Sequence, residues 1–300
     1  MILKDLGEFN FIKRISALTS VSKCVIKGIG DDAAVLKGAG GRYTLFTSDM
    51  LVEGRHFKRN AGGYLIGKKS LSASVSDIAA MGGWPGACVV SLGAPPSLDV
   101  KFVDGIYKGL RAVSRKYKID LVGGDTVASE KIIINVALLG EVEKDNLTLR
   151  GGAKTGDAIF VTGSIGGSLA GSHLDFSPRL EEARSLVNNF KVNSMIDVSD
   201  GLLADLGHIL EASGKGAVLY EKNVPVSKKA KDFNSAVTDG EDFELVFTLP
   251  EKDAGRLERA WRFKTNLSRI GCISAKGREL IIIDKSGAKK KIKPRGYKHF

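Results

Sequence analysis

Short apolar runs that end in small residues and an aspartate recur along this chain, between longer stretches with helical periodicity. These runs lead to Asp31-Asp32, Asp49, Asp125 and Asp197. Strand-like runs that alternate with helical patterns predict an α/β or α+β fold, in which helices cover a sheet. Because ligands of open α/β sheets gather beyond the carboxyl ends of the strands, we expect the aspartates to converge on one site.

The apolar periodicity predicts helices at 8–18, 61–81, 98–117 and 201–213, and strands at 24–29, 43–47, 87–93, 119–122, 132–141, 158–162, 195–198, 245–249 and 280–283. A polar, turn-rich stretch at 143–154 predicts a boundary between two domains, residues 1–142 and 148–300. The glycine-rich stretch 163–171 is expected to turn from a strand into a helix. Its spacing is not that of a known phosphate loop, so phosphate contact and close packing both remain open.

Asp77 lies in the last turns of a predicted helix, before Gly82-Gly83. A carboxylate there opposes the helix dipole, at a cost of about 0.3–1 kcal/mol when exposed, which favours a functional role. A single aspartate after a strand is usually a turn residue or an N-cap, and Asp200 fits an N-cap. Several aspartates together favour a hard divalent cation such as Mg²⁺, whose ligands are oxygens, and hence phosphoryl transfer.

The 300 residues carry 45 Lys+Arg against 34 Asp+Glu, a net charge of +11, which predicts an anionic partner. Charge alone leaves nucleic acid, a membrane surface and a nucleotide open. The basic segment 289–295 lacks interleaved aromatics and is typical of a solvated face, so we expect no nucleic acid. No apolar run approaches the roughly 18 residues of a membrane helix, and the first 15 residues do not have the pattern of a signal peptide. Three cysteines without a CxxC motif favour a reducing cytoplasm.

The motifs taken together resemble the thiamine-monophosphate kinase family, within the aminoimidazole ribonucleotide synthetase-like superfamily of ATP-binding enzymes. The resemblance rests on GIGDDAAVL at 28–36, TSDMLVEGRHF at 47–57, VSDIAAMG at 75–82, GGDT at 123–126, LRGGAK at 149–154, IDVSDGL at 196–202, GEDFE at 240–244 and GYKHF at 296–300. It implies two domains, each with mixed sheets packed with helices. It also implies ATP-dependent phosphorylation of thiamine monophosphate to thiamine diphosphate, the last step of thiamine diphosphate biosynthesis, by direct in-line transfer assisted by several Mg²⁺ ions.

The resemblance also implies roles for individual residues. The Mg²⁺ ligands would be Asp32, Thr47, Ser48, Asp49, Asp77, Asp125, Asp197 and Asp200. ATP would contact Gly124, Asp125, Arg150 and Ser199, and the thiamine substrate would contact His56, Glu241 and Tyr297. Tyr117 is a further candidate for stacking on adenine, with packing at a helix end as the alternative. A phosphate acceptor is already ionised, so no general base is required. A homodimer built by the N-terminal domains is implied, with ATP near its interface.

Two relatives in the same superfamily fit less well. A selenophosphate synthetase is expected to carry a reactive cysteine near a glycine-rich loop, whereas Cys24 falls in a predicted strand. A hydrogenase-maturation enzyme does not account for the GYKHF motif at 296–300. A nucleic-acid-binding protein without catalytic activity is the alternative from another class, and the net positive charge is its support.

Overall fold

Two β-sheets with helices packed on them make up the protein in this computed structural model, which describes residues 2–275, 277 and 279–298. The first half contains α1 (Leu3–Leu6), α2 (Glu8–Leu18), β1 (Val25–Lys27), β2 (Ala34–Lys37), β3 (Arg42–Val52), α3 (Gly63–Ala80), β4 (Trp84–Ala94), α4 (Val100–Tyr117), β5 (Asp120–Ala128) and β6 (Ile133–Glu143). Its six strands form one sheet in the order β1-β2-β3-β6-β4-β5.

The second half forms a sheet of seven strands. Its elements are β7 (Ala158–Thr162), α5 (Leu180–Asn189), β8 (Ser194–Asp197), α6 (Leu202–Ser213), β9 (Gly216–Tyr220), α7 (Phe233–Thr238), β10 (Leu245–Leu249), α8 (Glu251–Ala260), β11 (Leu267–Ser274), β12 (Leu280–Ile283) and β13 (Lys289–Ile292). The strand order is β13-β12-β9-β11-β7-β10-β8. The last two residues of the motif at 296–300 lie outside the described residues.

Both sheets are mixed, as predicted, but antiparallel pairing dominates them. Among the named strands of the described residues, only β4 with β5 and β12 with β9 pair in parallel. The expectation that the aspartates follow the carboxyl ends of parallel strands is therefore wrong for two of them. Asp49 lies in the middle of β3 and Asp125 in the middle of β5, because both strands continue past the predicted ends.

Helix α3 is buried nearly all round, which is typical of a central core helix. Glycines allow it to approach α4 closely. A Cβ atom on Gly67 would lie 1.9 Å from the carbonyl oxygen of Ile106, and one on Gly109 would lie 2.0 Å from that of Tyr64. No larger residue fits at either position without separating the two helices.

Two local predictions were wrong. The glycine-rich stretch does not lead directly into a helix, because Gly163, Gly166, Gly167 and Gly171 all adopt positive φ and two short 3₁₀ turns follow. Asp200 is not the N-cap of α6. The carboxylate of Asp205, in the first turn of α6, instead accepts the backbone N–H groups of residues 200 and 201, at 3.1 and 3.0 Å.

The hydrophobic core does not stop at the predicted domain boundary. Buried side chains of the first sheet, such as Val136 and Leu138, belong to one continuous cluster with Phe160, Met195 and Phe247 of the second. A second cluster lies on the other face of the second sheet, under α6. None of the helices in the described part of the chain has the length and apolar character that crossing a membrane requires.

Candidate active site

Four aspartates from separate parts of the chain gather around α3, of which Asp32 and Asp197 are buried and Asp49 and Asp77 are half-buried. Asp32 precedes β2, Asp49 lies in β3, Asp77 lies in the last turns of α3 and Asp197 ends β8. Carboxylate oxygens of Asp32, Asp77 and Asp197 all lie within 4.8 Å of one another. We call these four residues the carboxylate cluster. The prediction of convergence holds for them, although their elements meet across the face of a helix rather than at a sheet edge.

Burial dominates the electrostatics of the carboxylate cluster. Burial, aided by the charge of Asp32, raises the pKa of Asp197 to about 8. The pKa of Asp77 rises well above its usual range because of burial and then the charges of Asp49, Asp197 and Asp32. Burial also raises the pKa values of Asp32 and Asp49. Four like charges packed this closely repel one another unless a cation or protons neutralise them.

Hydroxyl groups orient three of the four carboxylates. Ser74 of α3 donates to Asp49 Oδ2 at 2.7 Å, and Ser76 of α3 donates to Asp197 Oδ2 at 2.5 Å. Thr47 of β3 donates to Asp77 Oδ2. Such hydrogen bonds fix the direction of each carboxylate.

Arg150 closes one side of the carboxylate cluster. Its Nη2 and Nε atoms donate to Asp32 Oδ1 at 2.6 and 3.2 Å, and its backbone N–H donates to Asp31 Oδ1 at 2.9 Å. Burial raises the pKa of Asp31 to about 6. The guanidinium of Arg150 thus pairs with Asp32, and its predicted contact with an ATP phosphate stays a prediction.

The residues of the carboxylate cluster fit Mg²⁺. Asp32 Oδ2 is buried and has no hydrogen-bond partner among the described residues. A buried charged oxygen without a partner is costly, and a divalent cation removes that cost. The donor set consists of carboxylate oxygens with a hydroxyl at Thr47, which Mg²⁺ prefers over nitrogen or sulfur ligands. The structure thus offers a place for the metal that the sequence predicted.

A cavity of about 540 Å³ lies beside the start of α3. His56 and Phe57 line one wall, and Leu169, His173 and Glu241 line another. The backbone N–H of Val52 donates to His56 Nδ1 at 2.9 Å, so the proton of the neutral imidazole lies on Nε2. Residues 169–171 of the glycine-rich stretch also line this cavity, whereas Gly163, Gly166 and Gly167 pack closely against neighbouring segments.

A smaller cavity of about 340 Å³ adjoins the first one at Leu169, which lines both. Its lining includes Tyr297, the third predicted substrate residue. The backbone N–H of Tyr297 donates to the carbonyl of Asp200 at 2.9 Å, which ties the C-terminal segment to the turn after β8. The structure therefore brings His56, Glu241 and Tyr297 around two neighbouring cavities.

Asp200 and Ser199 belong to that same turn. Asp200 lies within 4.8 Å of Asp205 and His208, measured between their ligand atoms. The carbonyl of Ser199 accepts the backbone N–H of Glu241 at 2.7 Å. The turn thus connects the carboxylate cluster, through Asp197, with the substrate cavities.

Four predicted site residues are not gathered with the others. The side chain of Ser48 points to the opposite face of β3 from Thr47 and Asp49, where its hydroxyl donates to Asn135 Oδ1 at 3.1 Å. The strand register puts Gly124 three strands from Asp49, which is about 14 Å, and Asp125 on the outer face of the sheet. Tyr117 packs against the core at the end of α4, with the Lys116 ammonium 4.9 Å from its ring centroid.

Sequence reasoning missed several side chains of this site. Ser76 and Lys69 are the main ones, since Ser76 holds Asp197 and Lys69 donates to Glu241 Oε1 at 2.5 Å. Their seven-residue spacing places them on one helix face, and the spacing of Ser70, Ser74 and Asp77 defines a neighbouring one. A lysine within an otherwise small and apolar helix was the available signal.

Comparison with known proteins agrees with these features. The family profile described as AIR synthase related protein, N-terminal domain, matches residues 30–142, and the corresponding C-terminal domain profile matches residues 154–284. A thiamine-monophosphate kinase of Buchnera aphidicola is 36% identical over 92% of this chain and 93% of its own length. One of Bacillus subtilis is 32% identical over 98% of this chain and all of its own.

A solved structure, AaThiL complexed with AMPPCP and TMP, has a TM-score of 0.86 and 32% identity, over 100% of this chain and 99% of its own. The hydrogenase maturation protein HypE in complex with ATP, at 20% identity and a TM-score of 0.74, shares the fold alone. The predicted fold class and family are both confirmed. With two AIR synthase related domains and this similarity over its whole length, the chain belongs to the thiamine-monophosphate kinase family.

Proposed function

We propose that this chain transfers the γ-phosphoryl group of ATP to the phosphate of thiamine monophosphate, yielding ADP and thiamine diphosphate. The observation that carries the proposal is the carboxylate cluster at one end of α3, with the cavity of His56 and Glu241 at the other. The full-length similarity to thiamine-monophosphate kinases supports it, as does the relative of known structure that binds AMPPCP and TMP. We assign the activity to the reducing cytoplasm, consistent with the three free cysteines.

We assign Mg²⁺ to the carboxylate cluster, with Asp32, Asp49, Asp77 and Asp197 as ligands and Thr47 as an additional oxygen donor. Asp200 would hold a further ion beside the turn after β8. When bound, Mg²⁺ supplies positive charge that neutralises the phosphate oxygens and the carboxylates facing them. The unpartnered Oδ2 of Asp32 supports this assignment.

The protein's own residues then bind and orient the two substrates. Arg150 provides a planar, permanently charged fork for ATP phosphate, and Ser199 provides a hydroxyl nearby. Glu241 and Tyr297 offer a carboxylate and an aromatic face to the cationic thiazolium ring of thiamine. His56 presents an Nε2–H donor. An oxygen of the acceptor phosphate attacks the γ-phosphorus of ATP without first losing a proton. As the new P–O bond forms, the bond between the γ-phosphorus and the β–γ bridging oxygen breaks, and ADP leaves.

We also propose that two copies pair through the outer face of the first sheet. That face exposes Phe46, Met50, Val89, Val127 and Leu139, each at least 39% accessible. Several exposed apolar side chains on one face of a sheet favour a partner there. Ser48 and Asp125 share this face, and Gly124 adjoins it, so pairing would place the separated metal and ATP residues at an interface.

We retain the division into residues 1–142 and 148–300 as a proposal, because the two halves carry separate sheets.

The proposed function is tested by incubating the protein with Mg²⁺, ATP and thiamine monophosphate, and by following thiamine diphosphate chromatographically. Thiamine replaces the monophosphate as a control acceptor, and a reaction without Mg²⁺ is run in parallel. Thiamine diphosphate formed from the monophosphate alone, and only with the metal, supports the proposal. ATP consumption without thiamine diphosphate, or a product from thiamine, contradicts it.

A further inference from the structure

Lys69 has no exposed side-chain surface, and α3 carries it to the place where the two halves of the chain meet. Its Nζ atom donates to Glu241 Oε1 at 2.5 Å and to the carbonyl oxygen of His56 at 2.7 Å. An ammonium removed from water is strongly unfavourable unless it is paired and hydrogen-bonded. These two partners therefore account for a charged group at this depth.

The two partners of Lys69 come from opposite walls of the larger cavity. His56 belongs to the turn after β3 in the first half, and Glu241 belongs to the loop before β10 in the second. A single ammonium thus holds together two residues that line the same cavity. The neighbouring Lys68 has a different role, since it pairs with Asp175 at the surface.

The loop that carries Glu241 is held in an unusual shape. Glu241 has φ +66°, in the left-handed region that residues with a Cβ seldom adopt. Its backbone N–H donates to the carbonyl of Ser199 at 2.7 Å, and a Cβ atom on Gly240 would lie 2.3 Å from that same carbonyl. Strained backbone of this kind persists where surrounding contacts determine it and is concentrated at ligand sites.

The charge of Lys69 also matters for the ligand. Burial lowers the pKa of Lys69, whereas the charge of Glu241 and the hydrogen bond to it act in the opposite direction. The ammonium also fixes the direction of the Glu241 carboxylate, which is the group proposed to meet the cationic ring of the acceptor.

We propose that Lys69 is a positioning residue of the acceptor site, which holds Glu241 and the His56 turn in the arrangement that binds the thiamine end of the substrate. The inference rests on the proposed function and adds to it a residue that contacts neither the metal site nor ATP. A purely structural tie between the two halves is the alternative, and the two differ in their effects on the two substrates.

The test compares Lys69→Met with Lys68→Met, which removes a lysine one position away that also links the two halves. Lys69→Met is expected to raise the KM for thiamine monophosphate about tenfold or more, because a charged hydrogen bond to Glu241 is lost. The KM for ATP should stay within about twofold in both variants, and Lys68→Met should leave both constants unchanged. In a Glu241→Gln background, Lys69→Met should add little, since the two residues act as a unit.

Each outcome decides between the interpretations. Equal increases of both KM values, an unchanged KM for thiamine monophosphate, or additive effects in the double variant would overturn the role of Lys69. If Lys69→Met does not fold, Lys69→Gln keeps an N–H donor for the His56 carbonyl and should give the same split. Failure of both to fold assigns Lys69 to stability alone and overturns the proposal. An inactive wild type, by contrast, refutes the proposed function itself.

Discussion

Ser76 Oγ donates to Asp197 Oδ2 at 2.5 Å, and this bond joins a helix of the first half to a strand end of the second. The carboxylate cluster is therefore complete only when the two halves are packed together. Asp32, Asp49 and Asp77 come from the first sheet and its helix, whereas Asp197 comes from the second sheet. Binding a cation here also strengthens the contact between the halves.

Asp77→Asn is expected to increase the melting temperature of the metal-free protein and to abolish its stabilisation by Mg²⁺. The pKa of Asp77 is raised by burial and by three neighbouring carboxylates, so removing its charge relieves repulsion. Wild-type protein should melt higher with Mg²⁺, by mass action on the folded state. Thermal unfolding with and without 5–10 mM Mg²⁺ (a concentration of the order needed to exceed a weak Kd) measures both effects.

Asp104→Asn, on the exposed surface of α4, is the matched control and should melt like the wild type at every Mg²⁺ concentration. A Mg²⁺-dependent increase that persists in Asp77→Asn would argue against the carboxylate cluster as the metal site.

Asp125→Asn is expected to abolish turnover without unfolding the protein, as is Asp49→Asn, although the two residues lie on opposite faces of the sheet.

Met50→Asp should produce monomers and a large loss of activity, because Met50 is 56% exposed on the proposed pairing face. Size-exclusion chromatography with light scattering gives the oligomeric state, and the kinase assay gives turnover. Val100→Asp, at a 72% exposed position on α4, is the control. A fully active Met50→Asp monomer would contradict pairing through this face.

Tyr297→Ala is expected to raise the KM for thiamine monophosphate about threefold to tenfold, and to raise that for ATP much less. Removing an aromatic face from a bound cation costs about 0.5–2 kcal/mol, which corresponds to such a change. Steady-state kinetics with each substrate varied in turn measure the two constants, and Tyr107→Ala on α4 serves as an exposed control. An unchanged KM for thiamine monophosphate would remove Tyr297 from the acceptor site.

The half-buried Asp242 predicts a pH dependence of stability. Burial raises its pKa from 3.8 to about 7. The folded state therefore keeps this proton between about pH 4 and 7 while the unfolded state loses it, so stability falls as pH rises through this range, by at most about 1.4 kcal/mol per pH unit. Asp242→Asn removes this contribution and should show a flatter dependence. Urea unfolding at about pH 4.5, 5.5 and 6.5, between the unfolded and folded pKa values, compares wild type with Asp242→Asn. If stability falls with pH equally steeply in both, Asp242 is not the group responsible.

Elements with strong apolar patterns were predicted closely. The strands at 158–162, 245–249 and 280–283 have their predicted bounds, and α3 and α4 are within two residues of theirs. The weaker patterns failed for physical reasons. β2, β9, β11 and β13 are short or mixed with polar residues, and pairing with neighbouring strands, which one sequence does not reveal, stabilises them.

For the candidate site, the sequence predicted which residues matter better than how they are arranged in space. The aspartates were found because acidic residues amid small and apolar ones are conspicuous. Their arrangement around α3 depends on antiparallel pairing and on a shared core, which local periodicity does not encode. Lys69 was missed because a lysine in a helix is normally solvated, and only tertiary packing buries it.

Helix α3 carries both Lys69, at the acceptor cavity, and Asp77, in the carboxylate cluster. From Lys69 to Asp77 it rises eight residues, or about 12 Å at 1.5 Å per residue. Under the proposed function, an acceptor anchored beside Lys69 would reach the carboxylate cluster through a group at about that distance. Gly67 and Gly109 allow α3 to pack closely against α4, and this packing keeps the distance between the acceptor cavity and the carboxylate cluster constant.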